Sequence, residues 1–132
     1  MTTKKHKAGL DQIKAFMAQK NMAIVGVSRD SKKFGNTVLK ELKDRDYNLF
    51  PVHPELEEAE GVKCYPSVQA LPDEVTSIFI STKPDKTTGI VKDALGRGIQ
   101  HIFLQQGAQN DEAIQLALDQ GANIIHRRCA LM

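Results

Sequence analysis

The sequence predicts an α/β fold, a doubly wound sheet of five parallel strands with an extra helix in front, on three observations. Short runs that are apolar throughout recur along the chain, as expected for strands buried on both faces. Segments of helical periodicity separate those runs. Pro54, Pro72, Pro84, Gly98 and Gly121 mark turns between them.

The elements follow in order. Leu10, Ile13, Phe16 and Met17 recur at helical spacing, so residues 9–20 are expected to form an amphipathic helix, with 1–8 as a flexible lead. The first apolar run is Met22–Val27, and Val38, Leu39 and Leu42 mark the helix after it. The second run, Asn48–Val52, leads into the glutamate-rich ELEEAEG at 55–61, which reads as a solvated connection. Val75–Ile80 is the third run, followed by a helix carrying Ile90, Val91, Ala94 and Leu95. Ile99–Leu104 is the fourth, with Ala113, Ile114, Ala117 and Leu118 in the helix behind it, and Asn123–Ile125 is the fifth. Right-handed crossovers then predict the spatial order 3-2-1-4-5. With 132 residues, 41% of them apolar, the chain is expected to form one domain spanning 1–132.

Composition excludes several function classes. With no Trp and 5% aromatic residues there is no stacking platform for nucleic acid. A net charge of +2, with Lys and Arg spread along the chain, suits a local anion site better than a duplex-binding face. No apolar stretch of signal-peptide length follows MTTKKHKAG, and none is long enough to span a membrane. Cys64 and Cys129 lie far apart without a CxxC, which fits reduced thiols in a cytoplasm.

Ligands of doubly wound sheets sit at the carboxyl ends of the strands, where the strand order reverses. The loop after the first run belongs to AIVGVSRDSKKFGN (23–36). Gly26 permits a tight turn before Val27, Ser28 offers a hydroxyl and a backbone N–H, and Lys33 adds charge. Gly35 and Asn36 open the next helix, whose unpaired N–H groups and dipole favour an anion. From Gly26 the chain reads GVSRDS rather than GxGxxG, and no GKS or GKT follows, so neither the dinucleotide fingerprint nor a P-loop is present. A diphosphate-type ligand is expected; a plain βα turn with solvated lysines is the structural alternative. At the end of the second run, NAD-binding sheets place Asp or Glu against the ribose hydroxyls. Here FPVHPE puts Val52, His53 and Pro54 there, a neutral wall for adenine or ribose with His53 as a phosphate donor. An acid at that spot would repel a 3′-phosphorylated ribose. A proline-terminated strand with an exposed histidine is the alternative.

These stretches, with GVKCYPSVQALP, STKPD, FLQQGAQNDEA and HRRCA, resemble the bacterial and archaeal coenzyme A-binding protein family. Its members are small stand-alone Rossmann-like domains similar to the CoA-binding domain of the succinyl-CoA synthetase α subunit. The likeness runs from about Met22 to Cys129, and its specificity lies in the ordered set of motifs. The resemblance implies coenzyme A or an acyl-CoA as the ligand. Its nucleotide part would be held by Gly26, Val27, Ser28, Lys33, Gly35 and Asn36, then Val52, His53 and Pro54. Ser81, Thr82, Lys83 and Pro84 after the third run, with Gln106 and Gly107 after the fourth, would border the pantetheine path. The family more often has Asn where this chain has His53, and bulkier or basic residues where Ser81 and Thr82 stand.

No catalytic constellation emerges. Ser28 lacks His and Asp in any recognisable order, and GxSxG is absent. His6, His53, His101 and His126 with Cys64 and Cys129 show no zinc spacing. The phosphate-relaying histidine of the ligase and its partner subunit lie beyond the resemblance. Binding without evident catalysis is therefore the expectation. The rivals are an NAD(P)-binding enzyme or regulator on the same fold, and a subunit-like module that needs a ligase or transferase partner. Cys129 follows the last strand, and Arg127 and Arg128 favour its thiolate. It is expected near the ligand thiol, able to form a reversible mixed disulfide with CoA; a packing role is the alternative.

Overall fold

The computed structural model describes residues 9–128, at 127 and 128 for the backbone alone. The expectations for residues 1–8 and for Cys129 lie outside the described residues. The elements are α1 (Leu10–Met17), β1 (Asn21–Val25), α2 (Phe34–Lys43), β2 (Asn48–Val52), β3 (Glu58–Ala59) and β4 (Val62–Lys63). A 3-10 turn at Val68–Ala70 leads to β5 (Ser77–Ile80), α3 (Pro84–Gly96), β6 (His101–Gln105), α4 (Asp111–Asp119) and β7 (Asn123–Arg128). All five apolar runs become strands of one parallel sheet, in the order β2-β1-β5-β6-β7.

Successive side chains of each strand supply opposite faces, and both faces are buried. Met22 and Ile24 join Phe79, Phe103 and Ile125 under α1 and α2, which contribute Phe16, Val38, Leu39 and Leu42. Phe103 is the centre of this layer, its ring 5.4 Å from Phe16 and 5.7 Å from Phe79. Ala23 and Val25 join Ile78, Ile80, Ile102, Leu104 and Ile124 on the other face, under Val91 and Ala94 of α3 and Ala113, Ile114 and Ala117 of α4. Pro84 starts α3 at a position where its missing N–H costs nothing, and Asn110 caps α4 by accepting the Ala113 N–H at 2.7 Å.

The strand order corrects the expected 3-2-1-4-5. The third run, β5, pairs with β1, so the five runs lie in the order 2-1-3-4-5. Pro51 supplies the physical reason. The Pro51 carbonyl accepts the Tyr65 N–H at 2.8 Å on the outer edge of β2, and His53 donates its N–H to the Tyr65 carbonyl at 2.9 Å. The N–H and C=O of a strand residue point to the same side, so the donor that proline lacks falls on this outer edge. A further full strand there would meet a gap in its ladder, and proline is confined to edges for that reason. A single-residue bridge between Val52 and Tyr65 occupies the edge instead.

The ELEEAEG segment is a largely exposed connection, as expected, but more ordered than that reading implies. Half of it folds into the antiparallel hairpin β3–β4, with Ala59 buried beside Cys64 in the cluster that contains Val38, Leu39 and Leu42. The two-residue tip, Glu60–Gly61, has φ of 51° and 78°, the positive pair that a type I′ turn requires.

Candidate functional site

The chain leaves β1 for β2 on one side and then crosses back to β5 on the other, so the carboxyl ends of β1 and β5 flank the switch point. Two glycines let the loops close there. Gly26 has φ +122°, and a Cβ on it would lie 2.2 Å from the Ser81 carbonyl oxygen. A Cβ on Gly35 would lie 2.3 Å from the Gly26 carbonyl oxygen. The first turn of α2 therefore rests on the β1 loop, and that loop rests on Ser81, whose N–H donates to Val25 O at 2.8 Å. Thr37 makes the first intrahelical bond, to Lys33 O at 3.0 Å, and no side chain caps α2. The N–H groups of Phe34, Gly35 and Asn36 are the ones a helix leaves unpaired at its start, and they form a donor set for an anion.

Asn36 stands in the first turn of α2 as expected, but its side chain bonds within the protein. It is 1% exposed, and its Oδ1 accepts the Ser28 N–H at 2.7 Å. Its Nδ2 donates to the Ser28 carbonyl at 2.8 Å and to Glu60 Oε2 at 3.0 Å. The side chain thus closes the loop onto itself, and the Ser28 N–H, expected to face the ligand, is taken. Ser28 Oγ accepts from the Asp30 N–H at 3.2 Å, while Asp30 gathers the N–H groups of Lys32 and Lys33, each at 3.0 Å. Lys32 and Lys33 are exposed. Val27 is buried behind the loop.

At the end of β2, Val52 is buried, His53 half-buried and Pro54 exposed. His53 Nδ1 accepts two backbone N–H groups, from Glu55 at 3.0 Å and Leu56 at 3.1 Å. The ring hydrogen of this tautomer therefore sits on Nε2, which makes that nitrogen a donor. An asparagine side-chain oxygen would accept from the same two positions in an Asx turn. Histidine stands in for asparagine here and carries an N–H farther out.

Ser81, Thr82, Lys83, Pro84, Gln106 and Gly107 line one cavity of about 450 Å³, together with Ala108. Buried Thr87 braces its two walls: its hydroxyl donates to Ala108 O at 2.7 Å, and Thr82 Oγ1 lies 3.2 Å away. Asn110 adds a second brace by donating to Pro84 O at 2.7 Å. Neither Thr87, Asn110 nor Ala108 was expected. A readable signal existed for Thr87, which shares the buried face of α3 with Val91 and Ala94. A hydroxyl on such a face requires a partner.

The remaining candidates lie elsewhere. Cys64 is buried under the hairpin, and burial, then the nearby Glu58 carboxylate, pushes its thiol above the ordinary range. His101 starts β6, at the amino ends of the strands and away from the crevice, 3.3 Å from Asn123 Nδ2, and burial lowers its pKa. Among the described residues, no group of three His, Cys, Asp or Glu side chains is placed to hold a metal ion. No helix among them is long and apolar enough to cross a membrane.

Residues 20–132 match the family model of the CoA binding domain. The chain belongs to that family. This CoA binding domain is similar to the uncharacterized Bacillus subtilis protein YneT, 27% identical over 110 residues that cover 83% of this chain and 82% of that protein. It is also 27% identical over 125 residues to the alpha subunit of Pyrococcus furiosus acetate–CoA ligase (ADP-forming) II, covering 86% of this chain but 27% of the subunit. Among solved structures, a hypothetical protein from Pyrococcus horikoshii OT3 matches with TM-score 0.85 and 32% identity over 98% of this chain and 93% of that one. The apo form of Ca. Korarchaeum cryptofilum dinucleotide forming acetyl-coenzyme A synthetase 1 matches with TM-score 0.70 and 27% identity, over 80% of this chain and 25% of that chain. The CoA binding domain thus corresponds to about a quarter of each of these two larger chains.

Proposed function

We propose that the domain binds CoA or an acyl-CoA across the crevice between the β1–α2 loop and the β5 and β6 ends, and that it does so without catalysing a reaction. One observation carries this reading: seven residues from the segments that follow β5 and β6 line one cavity, and one of them, Ser81, is the residue on which Gly26 packs. An anion on the first turn of α2 and a chain running into the cavity would share that contact. The free N–H groups of α2 and the exposed Lys33 serve the pyrophosphate, and His53 Nε2 reaches toward the phosphorylated ribose. Val52 and Pro54 leave that end of β2 without a carboxylate, which favours a 3′-phosphate and disfavours NAD. The two widely spaced cysteines support a cytoplasmic setting, and the domain is proposed to span 1–132.

Thermal shift in parallel with CoA, acetyl-CoA, NAD, NADP and ATP tests the assignment, because a ligand that binds the folded state raises the midpoint. CoA is expected to raise it and NAD to leave it unchanged at equal concentration. Stabilisation by NAD where CoA does nothing would overturn the reading. A second reading, a module that works with a ligase-type partner, is favoured by the likeness to one quarter of a ligase subunit. Co-purification of a partner with the tagged domain from its own host distinguishes it.

A further inference from the structure

Glu60 stands in a conformation that L side chains rarely adopt, and among the described residues it is the one non-glycine with positive φ, at 51°. Asn or Gly would fill that place in a type I′ turn with less strain. Strained backbone that persists is held by its surroundings, and here the surroundings point to the nucleotide loop. Lys43 Nζ ties the Glu60 carbonyl at 2.6 Å, and the carboxylate reaches Asn36 Nδ2 at 3.0 Å. A carboxamide has two orientations that exchange its oxygen and nitrogen. A carboxylate only accepts, so it holds the nitrogen toward itself and leaves Oδ1 for the Ser28 N–H. Turned over, Asn36 would set its oxygen against the Glu60 carboxylate and the Ser28 carbonyl.

We infer that Glu60 is a positioning residue of the β1–α2 loop: it fixes the amide of Asn36 and, through it, the Ser28 backbone beside the first turn of α2. The hairpin that follows β2 thereby sets the shape of the loop that follows β1. The inference rests on the reading of that loop as the nucleotide site, but its first readout needs no ligand.

Glu60→Asn and Glu60→Gln in the full chain separate contact from turn. Asn suits the turn but is one methylene shorter, about 1.5 Å, and loses Asn36; Gln keeps an acceptor within reach. In Glu60→Asn the urea midpoint is expected to hold or rise, while the Ser28 amide exchanges about tenfold faster by NMR and CoA binds about fivefold more weakly. Glu60→Gln is expected to restore both values to within about twofold of the parent. Unchanged Ser28 exchange in Glu60→Asn would reduce Glu60 to a turn residue. Equal loss in Glu60→Gln would overturn the positioning role in favour of charge alone. If the parent fails to bind CoA, the ligand reading falls, and Ser28 exchange still decides the role of Glu60.

Discussion

The β1–α2 loop and the cavity between the β5 and β6 ends meet at Ser81, yet they use the same kinds of residue in opposite ways. In the loop, Gly26 and Gly35 are glycines because backbone from another segment fills the space of a side chain. In the cavity, Gly107 also has positive φ, at 99°, but nothing lies within 4 Å of where its Cβ would be. Asn36 spends its hydrogen bonds inside the protein, whereas Ser81, Thr82 and Gln106 border open volume. The missing side chain of a glycine and the carboxamide of an asparagine can therefore shape a binding loop, while less conspicuous residues border the space.

Filling that space in the loop should cost the most. Gly26→Ala forces a Cβ onto a backbone oxygen and is expected to cost more than about 3 kcal/mol of stability, read from urea unfolding. Gly107→Ala meets only its own backbone strain, about 1 to 2 kcal/mol, and equal costs at the two positions would erase the contrast. Next come the buried polar braces. Asn36→Ala leaves Ser28 N–H and Glu60 without their partner and is expected to cost about 2 kcal/mol. Thr87→Val keeps the shape but strands the Ala108 carbonyl, at about 1 to 2 kcal/mol, and should weaken CoA binding by loosening the cavity wall. His53→Ala loses the acceptor for two N–H groups and about 1 kcal/mol, whereas His53→Asn should leave stability close to the parent. An equal loss in both would mean that Nδ1 does not act as an asparagine oxygen does.

The smallest effect lies outside the crevice. Burial lowers the pKa of His101, so the unfolded chain binds its proton first as pH falls. Stability contributed by the neutral ring is full above the ordinary histidine value of about 6.5 and declines below it. His101→Gln should flatten the fall in urea midpoint between pH 7 and 5. An unchanged slope would assign the acid sensitivity to other groups.

The two regions were also unequally readable. Five buried parallel strands show up as apolar runs because both faces of each strand need apolar side chains. Their order depends on Pro51, whose place in NLFPV confines β2 to an edge, a signal that turn and crossover rules alone do not use. The cavity residues follow directly upon strands, so a motif comparison finds them in order. The Asn36–Glu60 link joins residues 24 apart through a hairpin whose tip is Glu-Gly rather than Asn-Gly, so no turn signal announces it. Thr87 is half legible: its place on the buried face of α3 signals that a partner is needed, but that partner, Ala108, lies 21 residues on.

If one ligand occupies both the loop and the cavity, calorimetric titration of Gln106→Trp will separate its two ends. Gln106 is exposed at the cavity wall, so the larger side chain can fill the cavity without entering the core. The variant and the parent are each titrated with CoA and with adenosine 3′,5′-bisphosphate, which carries the nucleotide end without the pantetheine. CoA affinity is expected to fall more than about tenfold, or 1.4 kcal/mol, while the bisphosphate binds parent and variant within about twofold. CoA affinity unchanged by the tryptophan, or an equal loss for both ligands, would contradict a pantetheine path through this cavity.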